Sequence, residues 1–127
     1  MSLTAAQESV ALATSALFVP GNKPERFVKA FLSGADLVII DLEDAVAPED
    51  KSAALDAVVT ALTSSHSEIP DGRLTAIVRI NSAHHSVELA ALRDVSAVSG
   101  NGLLGVMIPK AESPQDIHDV AAALPRG

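Results

Sequence analysis

Residues 36–48, with the sequence DLVIIDLEDAVAP, decide the fold of this chain. The apolar run at residues 37–40 has no polar alternation, which predicts a strand covered on both faces, as in the parallel sheets of α/β proteins. Three carboxylates follow within four residues, at Asp41, Glu43 and Asp44. Ligands bind beyond the carboxyl ends of such strands. A single carboxylate there would more often cap a helix, but three together favour a functional site.

Three further apolar runs lie on either side of this stretch, at residues 15–19, 74–80 and 103–108. A turn and a segment with helical spacing of apolar residues follow each run. Pro24, Pro48 and Pro114 suit first helical turns, and Gly34 ends the first of these helices. The chain therefore predicts an α/β fold of four βα units with right-handed crossovers. Either an open doubly wound sheet or an arc of a (β/α)8 barrel satisfies this pattern.

Composition indicates one small globular domain at residues 15–127, preceded by an N-terminal extension at residues 1–14. Of the 127 residues, 48% are apolar and 20% are charged, which is ordinary for a soluble protein. No apolar run reaches the length of a membrane span, and residues 1–14 lack the basic start of a signal peptide, so we expect a cytoplasmic protein with no membrane partner. The absence of cysteine excludes disulfides and thiolate chemistry.

The charge pattern argues against a nucleic-acid partner. Sixteen acidic residues outnumber nine basic ones, and the basic residues are scattered singly along the chain. The sequence has no Trp or Tyr on which bases could stack.

Polar side chains follow each predicted strand. Because the carboxyl ends of parallel strands share one rim, we expect these side chains to converge there although they are distant in sequence. They are Asn22 and Lys23, then Asp41, Glu43 and Asp44, then Arg79 and Asn81, and finally Lys110 and Glu112. A rim that mixes carboxylates with cations suits an anionic substrate held near a divalent cation.

Arg79 is the most specific residue of this set, because it ends an apolar strand where an apolar side chain would be expected. Its planar fork can hold a carboxylate with two parallel hydrogen bonds. The alternative is an arginine that pairs with Glu43 or Asp44 only to neutralise them. The two roles can coexist.

The other cations and the histidines carry weaker signals. Lys23 follows a glycine turn that matches no phosphate-binding loop, and a solvated lysine is the simpler interpretation. Lys110 is predicted as a substrate cation rather than a Schiff-base lysine, since the neighbouring sequence shows no residue that would activate it as a nucleophile. His84 and His85 are adjacent, which is not the spacing of a chelating pair, and a hydrated loop is predicted there.

Six short segments in fixed order span residues 17–113. They are LFVPGN at 17–22, PERF at 24–27, GAD at 34–36, DLEDAVAP at 41–48, VRIN at 78–81 and IPKAES at 108–113. Together they resemble the citrate lyase β-subunit-like branch of the HpcH/HpaI aldolase family. The resemblance implies a (β/α)8 TIM barrel, of which this chain covers about the first four βα units.

The resemblance also implies a reaction, which is Mg²⁺-dependent cleavage or formation of a carbon–carbon bond in a β-hydroxyacyl-CoA thioester. Citryl-, malyl- and citramalyl-CoA are substrates of this type, and an α-oxo acid is the second small molecule. The resemblance implies a substrate arginine at Arg79 and coenzyme A contacts near Lys23, and the convergence of the strand ends predicts Asn81 and Lys110 as further substrate contacts. It implies that the acidic residues lie close to the metal without binding it, at Glu43 and Asp44, with Asp41 beside them.

The family's metal ligands and general acid or base lie on later strands, so the resemblance assigns no catalytic or metal-binding residue to this chain. Both the catalytic residues and the Mg²⁺ ligands are expected beyond Gly127. The barrel takes about 250 residues, which makes this chain half of one. It is expected to be inactive alone and to belong to a homo-oligomer. Thr14 and Leu55 stand where the family often has arginine, which leaves the thioester open.

A half-barrel predicts two unpaired edge strands and a bare inner sheet face, which another chain should cover.

Two other classes of protein fit parts of the pattern. One is a phospho-receiver domain, whose acceptor aspartate should end the third strand, where this chain has Arg79. The other is a non-catalytic α/β binding module.

Overall fold

Each predicted apolar run forms a strand in the computed structural model, which describes residues 5–110 and 113–124. The strands are β1 (Ala16–Pro20), β2 (Leu37–Asp41), β3 (Ala76–Arg79) and β4 (Leu103–Met107). The helices are α1 (Ala5–Ala11), α2 (Phe27–Phe31), α3 (Lys51–Thr63), α4 (Ser86–Ser96) and α5 (Pro114–Ala123). Among these described helices, none combines the length and the hydropathy needed to cross a bilayer.

Proline and glycine set the helix boundaries as the sequence predicts. Pro24 and Pro48 each open a single 3-10 turn that leads directly into α2 and α3, and Pro114 is the first residue of α5. A fixed φ suits proline to these positions, where no backbone N–H is needed. Gly34, just after α2, has a φ of 96°, which an L side chain rarely adopts.

All four strands are parallel, and their spatial order is β1-β2-β3-β4. Right-handed crossovers between strands in unbroken order carry every connecting helix to the same face of the sheet. A doubly wound sheet would instead reverse its order at a switch point, and a receiver domain would follow the order 2-1-3-4-5. The topology therefore confirms the barrel arc, and the phospho-receiver alternative is wrong.

The two sheet faces differ in what covers them. On the helix side, Val38, Ile40 and Val78 join the main apolar core with side chains from α2, α3, α4 and α5. Alternate residues Leu37, Ile39 and Ile77 form a second, smaller cluster on the opposite face, together with Ala13, Leu104 and Met107. The side-chain alternation of a strand places Asp41 and Arg79 on this second face too, at the carboxyl ends of β2 and β3.

The sequence predicted a bare inner sheet face, and this prediction is wrong for the centre of the face, which is buried. Leu37, Ile39 and Ile77 are only 7%, 4% and 9% exposed. Ala13 packs against this cluster, and α1 contacts β4 as well. The β1 edge stays open within the described chain, where Leu17 is 40% and Phe18 is 50% exposed.

Candidate functional site

The structure brings most of the predicted rim residues together. Asp41 ends β2, and Arg79 ends β3 directly opposite it in register. Glu43 and Asp44 lie on the turn after β2, and Lys110 lies just beyond β4.

Two residues named from the sequence fall outside the described part of the chain. Glu112, predicted at the rim after β4, is one of them. Gly127, beyond which the catalytic residues and the Mg²⁺ ligands are expected, is the other. The rim position of Glu112 and the location of the catalytic residues beyond Gly127 therefore stay predictions.

Arg79 forms a bidentate ion pair with Asp41. Its Nε donates to Asp41 Oδ1 at 2.9 Å and its Nη2 donates to Oδ2 at 2.7 Å. Glu43 and Asp44, the partners predicted from sequence, stand 3.8 and 4.0 Å from Nη2. The phenyl ring of Phe18 lies below the guanidinium, with Cζ 5.5 Å from the ring centroid, a cation–π distance. One carboxylate and one aromatic ring thus fix the plane of the guanidinium.

Every oxygen of the Asp41 carboxylate is used. Besides Arg79, Oδ1 accepts from the N–H of Glu43 at 2.8 Å and Oδ2 from the N–H of Ala45 at 3.1 Å. Burial raises the pKa of Asp41, but the hydrogen bonds from Arg79, Glu43 and Ala45 outweigh it, so the pKa of this carboxyl lies below its usual value. The hydrogen bond to Asp41 raises the pKa of Arg79 in turn. Both groups are charged at neutral pH.

Glu43 bridges the two rim cations. Its Oε1 lies 3.8 Å from Arg79 Nη2 and its Oε2 lies 3.5 Å from Lys110 Nζ. The Glu43 side chain is 12% exposed and that of Lys110 is 78% exposed, so the lysine reaches in from solvent. Lys110 has a φ of 49°, an uncommon conformation for a residue other than glycine.

Asn81 is close to the rim, but its polar groups turn inward. Its Oδ1 accepts from Lys51 Nζ at 2.6 Å, its backbone N–H donates to Glu88 Oε1 at 2.7 Å, and its Nδ2 donates to Glu88 Oε2. Sequence reasoning missed both partners. Glu88 gave one available signal, because it is acidic yet falls on the α4 face that carries Leu89 and Leu92.

The predicted residues at the end of β1 lie apart from this cluster. Lys23 is exposed at the entry to the 3-10 turn, where its N–H donates to Pro20 O at 3.1 Å. Asn22 carries a buried Oδ1 for which the described part of the chain supplies no hydrogen-bond donor. A buried acceptor without a partner is uncommon and marks this corner of the rim as polar and incomplete.

The two adjacent histidines have separate structural roles rather than a shared one. His84 Nε2 lies 3.1 Å from Asp116 Oδ1, and its Nδ1 lies 3.9 Å from Asp119 Oδ2. His85 Nδ1 accepts from the backbone N–H of Glu88 at 3.2 Å and caps α4. The hydrated loop that the sequence predicts is therefore tied to α5 on one side and to α4 on the other.

A cavity of about 360 Å³ adjoins the cluster on the β4 side. Polar and apolar residues both line it: Glu43, Asn81, Ser82, Ala83, His84, Pro109, Lys110 and Asp116. It opens beside the Glu43 carboxylate, so a ligand in it would lie within reach of Lys110.

The rim carboxylates of the described chain do not fit Mg²⁺. Magnesium requires near-octahedral oxygen coordination, usually from one or two carboxylates and several waters. Asp41 has both oxygens committed to four N–H donors, and Glu43 lies between two cations. The exposed Asp44 is then the one rim carboxylate of the described residues that faces solvent.

The two positions where arginine was expected have other roles. Thr14 donates from its N–H and its hydroxyl to Asp36 Oδ2, at 2.9 and 2.7 Å, and these bonds hold the pKa of Asp36 below its ordinary value. Asp36 precedes β2, at the opposite end of the sheet from the rim. Leu55 is 8% exposed and packs in the main core. Neither residue contributes an anion contact at the rim.

The sequence and the parallel barrel arc match a known class of lyases and aldolases. Residues 14–126 match the HpcH/HpaI aldolase/citrate lyase family, so the chain belongs to that family. It is 38% identical over 105 residues to a citrate lyase subunit beta-like protein of Mycobacterium tuberculosis, over 83% of this chain and 34% of that protein. It is 35% identical over 106 residues to an L-malyl-CoA/beta-methylmalyl-CoA lyase of Cereibacter sphaeroides, over 84% of this chain and 32% of that enzyme.

Solved structures give the same result. The citrate lyase beta subunit of M. tuberculosis, in complex with oxaloacetate and magnesium, superposes with a TM-score of 0.65 and 33% identity. The match covers 89% of this chain and 46% of that one. The four βα units therefore correspond to the first part of a TIM-barrel-like fold, and the chain spans about a third of the length of the curated relatives it matches.

Proposed function

We propose that this chain forms the carboxylate-binding part of the active site of a carbon–carbon lyase. The reaction is the Mg²⁺-dependent cleavage or formation of a bond in a β-hydroxyacyl-CoA thioester of the citryl-, malyl- or citramalyl-CoA type. An α-oxo acid is the second reactant or product. Family membership supports the reaction class, and the geometry of Arg79 carries the assignment of this chain's part in it.

Among the described residues, the hydrogen bonds of the Arg79 guanidinium leave one of its edges for a ligand. Asp41 occupies the edge formed by Nε and Nη2. The second edge, formed by Nη1 and the other Nη2 N–H, has the same two-donor spacing, which matches a carboxylate. Glu43 and Asp44 stand at 3.8 and 4.0 Å from Nη2, beyond hydrogen-bond distance. The structural and substrate-binding roles of this arginine are therefore compatible, because each uses a different edge.

The remaining assignments of the proposal are supported by membership of the family rather than by the placement of Arg79. Lys110 and Lys23 are the cations for the thioester and coenzyme A, and Glu43 and Asp44 lie near the metal without binding it. The Mg²⁺ ligands and the general acid or base come from polypeptide beyond Gly127. The chain alone is inactive, and the complete protein is a cytoplasmic homo-oligomer.

The experiment is a titration of the chain with pyruvate, followed through the backbone ¹H–¹⁵N signals of Glu43 and Ala45, which every variant retains and whose N–H groups donate to Asp41 beside Arg79. Arg79→Lys should weaken binding by about 10-fold or more, because an ammonium cannot form the bidentate pair. Arg93→Lys is the matched control, since Arg93 is exposed in the last turn of α4. Equal affinity for Arg79→Lys and the wild type, or no binding to the wild type, would refute the assignment.

The second candidate is a non-catalytic binding module, which the paired state of the rim carboxylates favours. Titration with acetyl-CoA, with and without Mg²⁺, separates the two functions. The lyase proposal requires coenzyme A thioester binding at the same rim as pyruvate. A non-catalytic module would bind one of the two ligands and not the other, because it has no need of adjacent subsites for both.

A further inference from the structure

A lysine, an asparagine and a glutamate form one hydrogen-bonded unit beneath the rim. We propose that Lys51, Asn81 and Glu88 together position the acidic turn at residues 41–45 against Arg79. In this assignment Asn81 is a positioning residue rather than a substrate contact. The inference deepens the proposed function and rests on it where ligand binding is concerned.

Lys51 supplies the first half of the unit. Its ammonium donates to Leu42 O at 3.0 Å, to Glu43 O at 2.9 Å and to Asn81 Oδ1 at 2.6 Å. An ammonium has three N–H donors, and these three acceptors use all of them. Two acceptors belong to the turn after β2 and one to the loop after β3. One side chain from the first turn of α3 therefore ties two strand ends together.

Glu88 supplies the second half. It is 2% exposed, and its two oxygens accept from the backbone N–H and the side-chain Nδ2 of Asn81. Leaving a buried carboxylate unpaired would be costly, and here two donors of one residue satisfy it. Its helix is fixed in turn by the cap from His85.

Asn81 links the two charged groups through a neutral amide. Its oxygen receives the Lys51 ammonium while its nitrogen reaches the Glu88 carboxylate, so a positive and a negative charge face each other across one side chain. This arrangement commits both ends of the amide inside the protein. A substrate that used Asn81 would have to break one of these charge-assisted bonds, which are stronger than neutral ones.

The unit controls the site through the acidic turn. Lys51 fixes the carbonyl groups of Leu42 and Glu43, and the N–H of Leu42 donates to Arg79 O at 2.9 Å. The N–H of Glu43 donates to Asp41, and Asp41 in turn accepts two hydrogen bonds from the guanidinium of Arg79. A shift of this turn would therefore release the orientation of the arginine.

The test compares Lys51→Met, Asn81→Ala and the double variant in the pyruvate titration. Each single change should weaken binding by about 10-fold. The double variant should bind no more weakly than either single one, because residues of one unit are not additive. Lys29→Met, at an exposed lysine of α2, is the control and should bind like the wild type. A direct contact between Asn81 and pyruvate would instead give about the product of the two losses, and that result would overturn the proposal.

If pyruvate does not bind, the proposed function is refuted, but the positioning role of the unit is not. Two measurements without ligand then test the positioning role. Hydrogen exchange at Arg79 Nε–H should be at least several-fold faster in Lys51→Met than in Lys29→Met, and equal rates would overturn the positioning role. If Lys51→Met does not fold, the ¹⁵N NMR signals of the lysine ammonium groups in the wild type test the positioning role instead. The Lys51 ammonium should exchange slowly enough to observe by ¹⁵N NMR while that of Lys29 does not, and equally fast exchange of both would reject the unit.

Discussion

Replacing Asp41 with asparagine should destabilise the protein by about 3 kcal/mol. The introduced amide has nearly the same shape, but one of its ends donates. That end would face either Arg79 Nη2 and the N–H of Ala45, or Arg79 Nε and the N–H of Glu43, so two hydrogen bonds are lost in either orientation. Each bond to a charged group contributes about 1.5–3 kcal/mol. Two such bonds sum to about 3–6 kcal/mol. The Arg79 side chain is 23% exposed and regains some hydration, so we expect a loss at the lower end of this range.

Urea unfolding followed by far-ultraviolet circular dichroism measures this loss, because the chain has no Trp or Tyr for a fluorescence assay. A loss of about 3 kcal/mol corresponds to a fall of roughly 10 °C in Tm for a domain of this size. Asp56→Asn, at an exposed carboxylate of α3, should change the free energy of unfolding by less than about 0.5 kcal/mol. If Asp41→Asn were as stable as this control, the ion pair would contribute nothing to the fold.

The same pair of proteins gives a pH test. The pKa of Asp41 is lower in the folded than in the unfolded protein, so its charge contributes stability above the unfolded pKa of about 3.9. That contribution is lost as pH falls through the lower, folded pKa. The difference in unfolding free energy between the wild type and Asp41→Asn should therefore be constant from pH 7 to about 5 and shrink below about pH 4. A difference that grows in acid would contradict the assigned direction.

Three further predictions concern packing, metal and assembly. Gly102→Ala should cost about 3 kcal/mol or more, since its Cβ would lie 1.7 Å from Leu74 O, whereas Gly105→Ala has open space and should unfold in urea like the wild type. Isothermal calorimetry should show no tight Mg²⁺ binding, because Asp41 and Glu43 already pair with N–H donors and cations of the protein. A dissociation constant in the micromolar range would contradict this reasoning. Light scattering should show self-association, or capture of a companion chain, through the open edges of β1 and β4; a monomer at all concentrations would refute this.

The strands were predictable because apolar runs without polar alternation are unambiguous in an α/β chain. The arrangement around Arg79 was only partly predictable. Its principal partner is Asp41 rather than Glu43 or Asp44, because the parallel register of β2 and β3 sets these two residues directly opposite each other. Asp41 and Arg79 are 38 residues apart in the chain, and sequence spacing alone does not give the register between their strands.

Lys51 and Glu88 escaped prediction for a different reason. On a sequence, a lysine in the first turn of α3 looks like a solvated residue, and a glutamate in the first turn of α4 differs from one only by falling on the apolar face of that helix. Their burial depends on how α3 and α4 pack against the loops that follow β2 and β3. The cover of the inner face by Ala13 was likewise unpredictable, since it depends on where the segment before β1 packs in the folded chain.

The position of Ala13 bears on how the barrel would be completed. In a closed eight-stranded barrel, side chains from all strands fill the interior in layers. The inner cluster around Ile39 already packs against Ala13 in the single chain, and α1 contacts β4. Any polypeptide that supplies the later strands therefore meets an interior layer that Ala13 already occupies in part.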